Sequence, residues 1–326
     1  MDRTTGHAPG KSWRSTALLL LLWVATLAGF AGSLWWPFDL LSSFRPHYAV
    51  AFLVAALSLG LLRRWRGVAL ALTGLLINGA IVSAPFELVH ASAATSAREV
   101  SGLRLVTLNV WFRNRDLDRV AAFLESTAAD VIVLQEVGAD QALEIAAHTT
   151  AYPHAYVDAA RVRHGVAILS RHPIVSGVPV ELVPGGVTVA EVSIVVDERE
   201  VTVIGAHLHW PVGPRSAALR NAEIEALAVR AAAVNGPVLV AGDLNVTLWS
   251  PWFGRLIEAS GLAECTGGAA LPGSWPVWAG PAAIRIDHCL MSPHFRSVAT
   301  RRGVRVGSDH APVVSDLAFE PRLARH

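Results

Sequence analysis

Two runs without a charged side chain, at residues 16–36 and 67–86, constrain this chain more than any other feature. Each is as long as the roughly 20 apolar residues that a helix needs to cross a bilayer. A shorter apolar run at 47–62 lies between them, below the usual length of about 17–25 residues. The pattern predicts a membrane domain over residues 16–86 with three transmembrane helices, of which the middle one is the shortest.

The first run has two alternative interpretations. A secretory signal peptide would show a basic lead-in and small residues near its cleavage point, and Arg14 and Ala28 fit both requirements. However, two further apolar runs follow closely, which is unusual for a signal peptide. A buried hairpin of a soluble domain is the other interpretation, but the uncharged lengths and the boundary pair Trp35–Trp36 favour a membrane.

The basic residues that flank the runs predict the orientation, because cytoplasmic flanks of membrane helices are enriched in Lys and Arg. Basic residues cluster before the first run and at 63–66, whereas the first connection has only Arg45 and none follow the third run before Arg98. This alternation predicts a cytoplasmic N-terminus at 1–15. It also predicts a multi-pass protein of the cell membrane whose C-terminal domain is extracytoplasmic. With two spans instead of three, that domain would lie inside.

An Ala- and Ser-rich linker at 87–100 leads into a globular domain at 101–326. From Arg98 onward the chain has 20 Arg, no Lys and 23 Asp plus Glu, so the formal charge of this part is −3. A domain that grips nucleic acid by its phosphates usually has a net basic surface. Nucleic acid is therefore the less favoured partner, and the sequence indicates no protein partner.

The chain has only two cysteines, Cys265 and Cys289. They are too far apart for a CxxC metal motif and too few for a disulfide framework. This pattern favours two unpaired buried thiols, although an extracytoplasmic location would permit a bridge between them.

Short apolar runs alternate with amphipathic segments throughout the globular domain. The predicted strands are 103–110, 130–137, 164–170, 187–197, 200–208, 237–245, 285–292 and 311–319, and the predicted helices are 116–128, 215–234 and 249–260. Many strands with few helices predict an α/β domain. We expect a four-layer α/β sandwich, in which two mixed sheets pack face to face and helices flank them.

Polar side chains follow apolar, β-prone runs at five separate places. They are Asn109, Glu136, His207, Asp243, Asn245, Asp309 and His310, and we expect each motif to lie where a strand ends. Oxygen ligands with histidines and without thiolates suit Mg²⁺ or Mn²⁺ and a phosphate ester. Each residue alone also has a structural interpretation, such as a turn cap for Asn109 or a core histidine for His207.

The order of these motifs resembles the endonuclease/exonuclease/phosphatase superfamily. The resemblance covers about residues 102–319 through LNV, LQEV, HGVAILSRHPI, AHL, GDLN, RIDH and GSDHAPV. A lone GDLN would be weak support, but seven motifs in the right order are specific. The three-span N-terminus joined to such a domain is also similar to the VanJ-type membrane proteins linked to teicoplanin resistance.

The resemblance implies a role for each matching residue. The matches to Asn109, Glu136 and Asp309 help bind the divalent cation, Mg²⁺ or Mn²⁺, that neutralises phosphate charge. The match to Asp243 orients or deprotonates the attacking water, and the match to Asn245 holds the water and the phosphoryl group in line.

The same resemblance implies that His207 and His310 donate hydrogen bonds to the pentacovalent phosphate. Asp287 matches the carboxylate that orients His310 and keeps it protonated. Three further residues are substrate-binding candidates by position rather than by resemblance. They are His209, two positions after His207, and the pair Arg163 and His164 before a predicted strand. A core or solvated-turn role is an equal alternative for these three.

Six tryptophans of the globular domain lie on or near the loops expected to surround the site. They are Trp111, Trp210, Trp249, Trp252, Trp275 and Trp278. Core packing explains some of them. The other interpretation is an aromatic rim that contacts lipid headgroups or an isoprenoid tail.

Together these features predict a membrane-anchored, divalent-metal-dependent phosphoric ester hydrolase. It would cleave a phosphoester or pyrophosphate by in-line attack of activated water, and a lipid-linked phosphate such as the undecaprenyl carrier of wall synthesis is the favoured substrate. A membrane-tethered endonuclease or exonuclease is the first alternative, for which a basic groove is missing. A non-catalytic binding domain is the second, and the intact motif residues argue against it.

Overall fold

The computed structural model describes residues 12–87, 102–158, 165–266 and 271–321. The chain divides into two compact units, a helical unit at Met1–Ala84 and an α/β unit at Pro85–His326. Most of the predicted linker at 87–100 lies outside the described residues.

The described part of the helical unit contains four helices. They are α1 (Ser12–Ala28), α2 (Trp36–Ser42), α3 (Arg45–Leu61) and α4 (Trp65–Glu87), and a 3₁₀ turn at Gly29–Ala31 follows α1. Within the described residues, one helix, Trp65–Ala84, is long and apolar enough to cross a membrane by itself. Ser15–Ala31 and Trp36–Ser42 meet this criterion only as a pair, bent by 113°.

The structure corrects the predicted span at 16–36. The helix ends at Ala28, and a new helix starts at Trp36 because Trp35 is extended and Pro37 occupies the first turn of α2. The prediction at 47–62 corresponds to α3, a shorter apolar helix of 17 residues, and only the prediction at 67–86 corresponds to a helix long enough to span alone.

A buried polar cluster joins three helices of this unit. Arg45 is 2 % exposed and donates to the carbonyl of Thr26 at 2.8 Å and to Oδ1 of Asn78 at 3.3 Å. Asn78 Nδ2 in turn donates to Thr26 Oγ1 at 3.1 Å. Such hydrogen bonds hold helices together in apolar surroundings. Arg45 is therefore an internal residue of the helical unit and not a flanking charge.

In the described segments of the α/β unit, twelve strands form two six-stranded mixed sheets. The first contains β1 (Gly102–Asn109), β2 (Val131–Gln135), β3 (His154–Asp158), β4 (Val166–Ser170), β11 (Phe295–Arg302) and β12 (Val313–Phe319), in the spatial order β11-β12-β1-β2-β4-β3. The second contains β5 (Ile174–Glu181), β6 (Thr188–Val196), β7 (Arg199–His207), β8 (Val238–Asp243), β9 (Ala263–Glu264) and β10 (Asp287–Met291), in the order β5-β6-β7-β8-β10-β9.

Three layers of apolar side chains hold the sheets and helices together. The middle layer lies between the sheets and includes Val133 and Val203. The first sheet packs its other face against α5 (Leu117–Thr127) and α6 (Ala139–Ala147), and the second sheet packs against α7 (Pro214–Ala232) and α8 (Pro251–Ser260). This arrangement confirms the predicted α/β sandwich of two mixed sheets with flanking helices.

The two cysteines form a disulfide, so the prediction of two unpaired thiols is wrong. Cys265 and Cys289 have their Cα atoms 5.4 Å apart. Cys289 lies in β10, and Cys265 follows the two-residue strand β9, which pairs with β10. The backbone N–H of Cys265 donates to the carbonyl of Cys289, which brings the two side chains together. A strand of two residues leaves no sequence pattern from which this proximity could be inferred.

Candidate active site

Four strands deliver polar side chains to one end of the sandwich. Asn109 ends β1, Glu136 follows β2, His207 ends β7 and Asp243 ends β8. β1 runs parallel to β2, and β7 runs parallel to β8. Because neighbouring parallel strands end at the same edge of a sheet, each sheet brings two of these residues together.

Asp287, Asp309 and His310 reach the same end from the opposite direction. β10 is antiparallel to β8, so Asp287 at the start of β10 is the register partner of Asp243. Asp309 and His310 lie in the loop before β12, which is antiparallel to β1. The expectation that the Ser-Asp-His motif closes a strand is therefore wrong.

Asp243 is the centre of the site. Its Oδ2 accepts a hydrogen bond from Asn109 Nδ2 at 3.1 Å, and it lies 3.8 Å from His207 Nε2 and 3.7 Å from His310 Nε2. Its Oδ1 accepts from the backbone N–H of Asn245 at 3.0 Å. Burial raises the pKa of Asp243 to about 7, although the charge on His310 opposes this. At that pKa the carboxylate is a stronger proton acceptor than an ordinary aspartate.

The backbone on both sides of Asp243 is specialised. Gly242 has a φ of 150°, and a Cβ built there would lie 1.8 Å from the carbonyl oxygen of Ala206 on β7. Only glycine therefore permits this approach of the two strands. Asn245 has a positive φ of 49°, and its Nδ2 donates to the carbonyl of Leu208 at 2.9 Å. This turn fixes the direction of the Asp243 carboxylate.

Asp287 and His310 form a buried pair. His310 Nδ1 lies 2.8 Å from Asp287 Oδ2, and the two residues are 4 % and 1 % exposed. Burial alone would lower the pKa of His310, but the carboxylates of Asp287 and Asp243 raise it to about 9. Burial by itself would raise the pKa of Asp287, but the positive charge of His310 holds that pKa below its usual value. His310 is therefore a charged donor whose Nε2 faces Asp243.

Glu136 occupies the other side of Asn109. Its Oε1 accepts from Asn109 Nδ2 at 3.2 Å and lies 3.8 Å from His207 Nε2. Its Oε2 accepts from the backbone N–H of Phe112 at 3.3 Å. Burial raises the pKa of Glu136, and the nearby negative charge of Asp309 raises it further. Two carboxylates that repel each other in this way favour a cation between them.

Asp309 is held by the loop that follows Gly273. Trp275 Nε1 donates to Asp309 Oδ2 at 3.1 Å, and the backbone N–H of Val277 donates to the Asp309 carbonyl at 2.7 Å. The other carboxylate oxygen, Oδ1, is buried and has no hydrogen-bond partner within the described residues. A buried carboxylate oxygen without a partner is costly, and a metal ion would satisfy it.

Asn109, Glu136 and Asp309 offer the amide and carboxylate oxygens that a hard divalent cation prefers, and Asn109 Oδ1 also accepts from the backbone N–H of Trp111 at 3.0 Å. In a second group, Asp243, Asp287 and His310, possible ligand atoms lie within 4.8 Å of one another. This second group suits a cation less well, because His310 is charged and its Nδ1 is bonded to Asp287. The first group is therefore a candidate metal site, and the second is a candidate centre of proton and phosphate chemistry.

The predicted substrate-binding residues fall in different places. His209 lies two residues beyond β7, and its Nδ1 is 2.6 Å from Oε1 of Glu223, a fully buried residue of α7. Its ring lines a cavity of about 460 Å³ together with Arg215 and Ser216. Arg163 and His164 lie outside the described residues.

Several supporting residues were not predicted from the sequence. Arg220 of α7 is 1 % exposed and donates to the carbonyl of Asn245 at 2.9 Å. Ser308 donates to the carbonyl of Asn109 at 2.7 Å and accepts from the backbone N–H of His310 at 3.0 Å. The sequence does contain an indication for Arg220, because this charged residue lies on the same face of α7 as the apolar residues Ile224 and Leu227.

A buried network of carboxylates and histidines therefore lies at one end of the α/β sandwich. Residues 106–310 match the Endonuclease/Exonuclease/phosphatase family. The chain belongs to this family, whose members are generally hydrolases that act on phosphoesters.

Solved structures show the same fold. An endonuclease/exonuclease/phosphatase from Beutenbergia cavernae is 24 % identical over 67 % of this chain and 72 % of its own, with a TM-score of 0.54. One from Bacteroides vulgatus is 18 % identical over 67 % and 99 %, with a TM-score of 0.58. A family protein from Bacteroides thetaiotaomicron is 17 % identical over 71 % and 99 %, also at 0.58. No curated protein matches the chain significantly in sequence.

Proposed function

We propose that this chain is a membrane-anchored, divalent-metal-dependent phosphohydrolase that cleaves a phosphoester or pyrophosphate by in-line attack of water. The observation that carries this proposal is the position of Asp243 Oδ2, which lies 3.8 Å and 3.7 Å from the Nε2 atoms of His207 and His310. A proton acceptor and two donors thus converge on one point, as attack of water on a phosphate requires.

Asp243 is the proposed acceptor of the water proton. Its raised pKa of about 7 matches the acid–base task at neutral pH. Asn109 and the backbone of Asn245 each hold one carboxylate oxygen, so the carboxylate keeps one orientation. The Nδ2 of Asn245 is already bonded to Leu208, which supports a role for Asn245 in orienting Asp243. A direct contact of Asn245 with the phosphoryl group stays a prediction.

His207 and His310 are the proposed donors to the phosphoryl oxygens. Both rings are nearly buried, at 5 % and 4 % exposure, so their hydrogen bonds act in a medium of low dielectric constant. Asp287 positions His310 and keeps it charged, which matches the negative charge that builds up on the phosphoryl oxygens. Asn109, Glu136 and Asp309 would hold the cation, which when bound neutralises phosphate charge.

The proposed location is the extracytoplasmic face of the cell membrane. Helix α4 is apolar enough to anchor the chain, and the basic residues at 63–66 precede it. With α4 as the crossing helix, these basic residues would place the α/β unit on the opposite, extracytoplasmic side. The Cys265–Cys289 disulfide supports the same location, since disulfides persist mainly outside the cytoplasm.

The proposal is tested with the purified full-length chain in detergent and Mg²⁺. The panel contains a phosphomonoester, a phosphodiester, a pyrophosphate and double-stranded DNA. We expect turnover of at least one small phosphate compound and its loss in Asp243→Asn. Asp118→Asn, an exposed aspartate on α5, is the matched control and should behave as wild type. Cleavage of DNA alone would replace the proposal with a tethered nuclease.

A further inference from the structure

Two tryptophans at the catalytic end of the α/β unit are exposed to an unusual degree. Trp210 is 58 % exposed and Trp278 is 75 % exposed, and Val212 near the first is 45 % exposed. Tryptophan is normally well buried, so apolar surface of this size indicates a contact surface. Trp210 lies three residues beyond His207, and Trp278 follows Val277, whose N–H binds the Asp309 carbonyl.

Two of the other tryptophans have contacts that explain them. Trp275 donates to Asp309, and Trp252 packs against the apolar layer between α8, α7 and the second sheet. Core packing therefore accounts for these two. It does not account for Trp210 and Trp278, whose rings project from the loops into solvent.

The loops that carry the two exposed tryptophans are held firmly. Ser216 Oγ donates to the carbonyl of Trp210 at 2.6 Å, and the backbone N–H of Val212 donates to the same carbonyl at 3.0 Å. Arg305 donates to the carbonyl of Val277, next to Trp278, at 2.7 Å. These bonds fix the backbone, so the aromatic rings are presented at set positions beside the catalytic residues.

Exposed arginines accompany the tryptophans. Arg113 and Arg115 lie in the loop after β1, and Arg215 lies in the first turn of α7, so all three follow strands that carry site residues. Tryptophan together with Arg or Lys is the combination that favours the interface between water and a lipid bilayer. Basic side chains there also attract anionic lipid headgroups.

We infer that Trp210 and Trp278 insert into the headgroup region of a bilayer, and that the substrate is a phosphate or pyrophosphate ester of a lipid. The tail stays in the bilayer while the phosphate enters the site. This inference rests on the proposed function, because it specifies the substrate of the same site.

The test uses the full-length chain reconstituted in vesicles of phosphatidylcholine and phosphatidylglycerol with Mg²⁺. Polyprenyl phosphate and pyrophosphate in the vesicles are compared with dimethylallyl phosphate and pyrophosphate in solution, which carry the same bonds on a short tail. The variants are the double substitution Trp210→Ser with Trp278→Ser and the conservative pair Trp210→Phe with Trp278→Phe. Leu143→Ser and Val298→Ser, exposed apolar residues on α6 and β11, are the matched controls.

We expect the double serine variant to raise KM for the polyprenyl compounds by about tenfold or more, which corresponds to about 1.4 kcal/mol. Turnover of the dimethylallyl compounds should change less than about twofold, and the phenylalanine pair should restore most of the loss because Phe also partitions into the interface. Equal losses on long and short tails, or no loss on either, would overturn the inference.

A second readout does not depend on activity. Lipids brominated near the headgroup should quench the fluorescence of the wild-type chain more than that of the double phenylalanine variant, because the two tryptophans contribute the difference. If no phosphate compound is hydrolysed, the proposed function fails. The difference in quenching between the two proteins still decides whether Trp210 and Trp278 contact lipid. An equal degree of quenching in both proteins would show that it does not.

Discussion

His310 Nδ1 lies 2.8 Å from Asp287 Oδ2, and both residues are buried. The pair joins the start of β10 in one sheet to the loop before β12 in the other. Since His310 also faces Asp243, the Asp287 carboxylate sets both the charge and the direction of the ring that lies nearest the proposed proton acceptor. Asp287 therefore acts through His310.

The first prediction concerns this pair. His310→Ala should lower kcat about a hundredfold or more, the usual effect of removing a preorganised transition-state donor. Asp287→Ala should cost less, because it removes only the orientation and charge of the ring. The double variant should lose little beyond His310→Ala, since residues that act as one unit are non-additive. A double variant whose loss equals the product of the single losses would show that they act independently.

A second prediction concerns the proposed metal ligands. Glu136→Ala should abolish most activity at low Mg²⁺, and higher Mg²⁺ should restore part of it, because one of three oxygen donors is lost while the others remain. Activity is titrated with Mg²⁺ for wild type, Glu136→Ala and Glu258→Ala, an exposed glutamate on α8. Identical Mg²⁺ dependence in all three proteins would remove Glu136 from the metal site.

A third prediction links stability to pH through Glu264. Its carboxylate lies 2.8 Å from Arg285 Nη2 and 2.5 Å from His288 Nδ1. Burial alone would raise the pKa of Glu264, but the charges of Arg285 and His288 hold it below its usual value. A lowered pKa in the folded state stabilises the protein above the unfolded pKa of about 4.3, and this stabilisation is lost as the pH falls through the folded-state pKa.

Glu264→Gln should therefore destabilise the protein at pH 7 by about 3 kcal/mol, the usual cost of breaking a buried ion pair. The difference from wild type should shrink at an acidic pH below the folded-state pKa of Glu264, where the glutamate is protonated. Thermal unfolding of wild type and Glu264→Gln at pH 7 and at the acidic pH measures this difference in stability. A difference that is the same at both would contradict the assigned role of the Glu264 charge.

The gathering of four candidate site residues at one end of the sandwich could be predicted because they follow strongly apolar strands. Asn109, Glu136, His207 and Asp243 end buried strands, and this pattern is visible in the sequence. Arg220 and Ser308 could not be found in the same way. Their roles depend on which helix or loop packs against the catalytic strands, and that information lies in the tertiary structure.

The missed elements have physical reasons of their own. Strand β5 is largely exposed and contains Gly177 and Pro179, so it lacks the alternation of apolar and polar residues that marks a half-buried strand. Strand β11 is similarly exposed. The sequence does not predict the end of α1 at Ala28, because hydropathy records the length of an apolar run and not a change in the direction of the chain.

A fourth prediction concerns orientation. The flank charges and the Cys265–Cys289 disulfide both favour an extracytoplasmic α/β unit. A C-terminal alkaline phosphatase fusion should be active, a C-terminal fluorescent protein that matures only in the cytoplasm should be dark, and protease added to spheroplasts should digest the domain. The reverse pattern would place the domain in the cytoplasm.

The central claim is that Asp243 activates water for attack on phosphorus with the help of a divalent cation. The most direct measurement is hydrolysis of the best compound of the panel in ¹⁸O-labelled water, with Mg²⁺ or with excess EDTA, by wild type and Asp243→Asn. We predict that wild type with Mg²⁺ places one ¹⁸O atom on the released phosphoryl group, while EDTA or Asp243→Asn stops product formation although the variant stays folded. Full turnover in EDTA, unchanged turnover in Asp243→Asn, or ¹⁸O found only in the leaving group would contradict the claim.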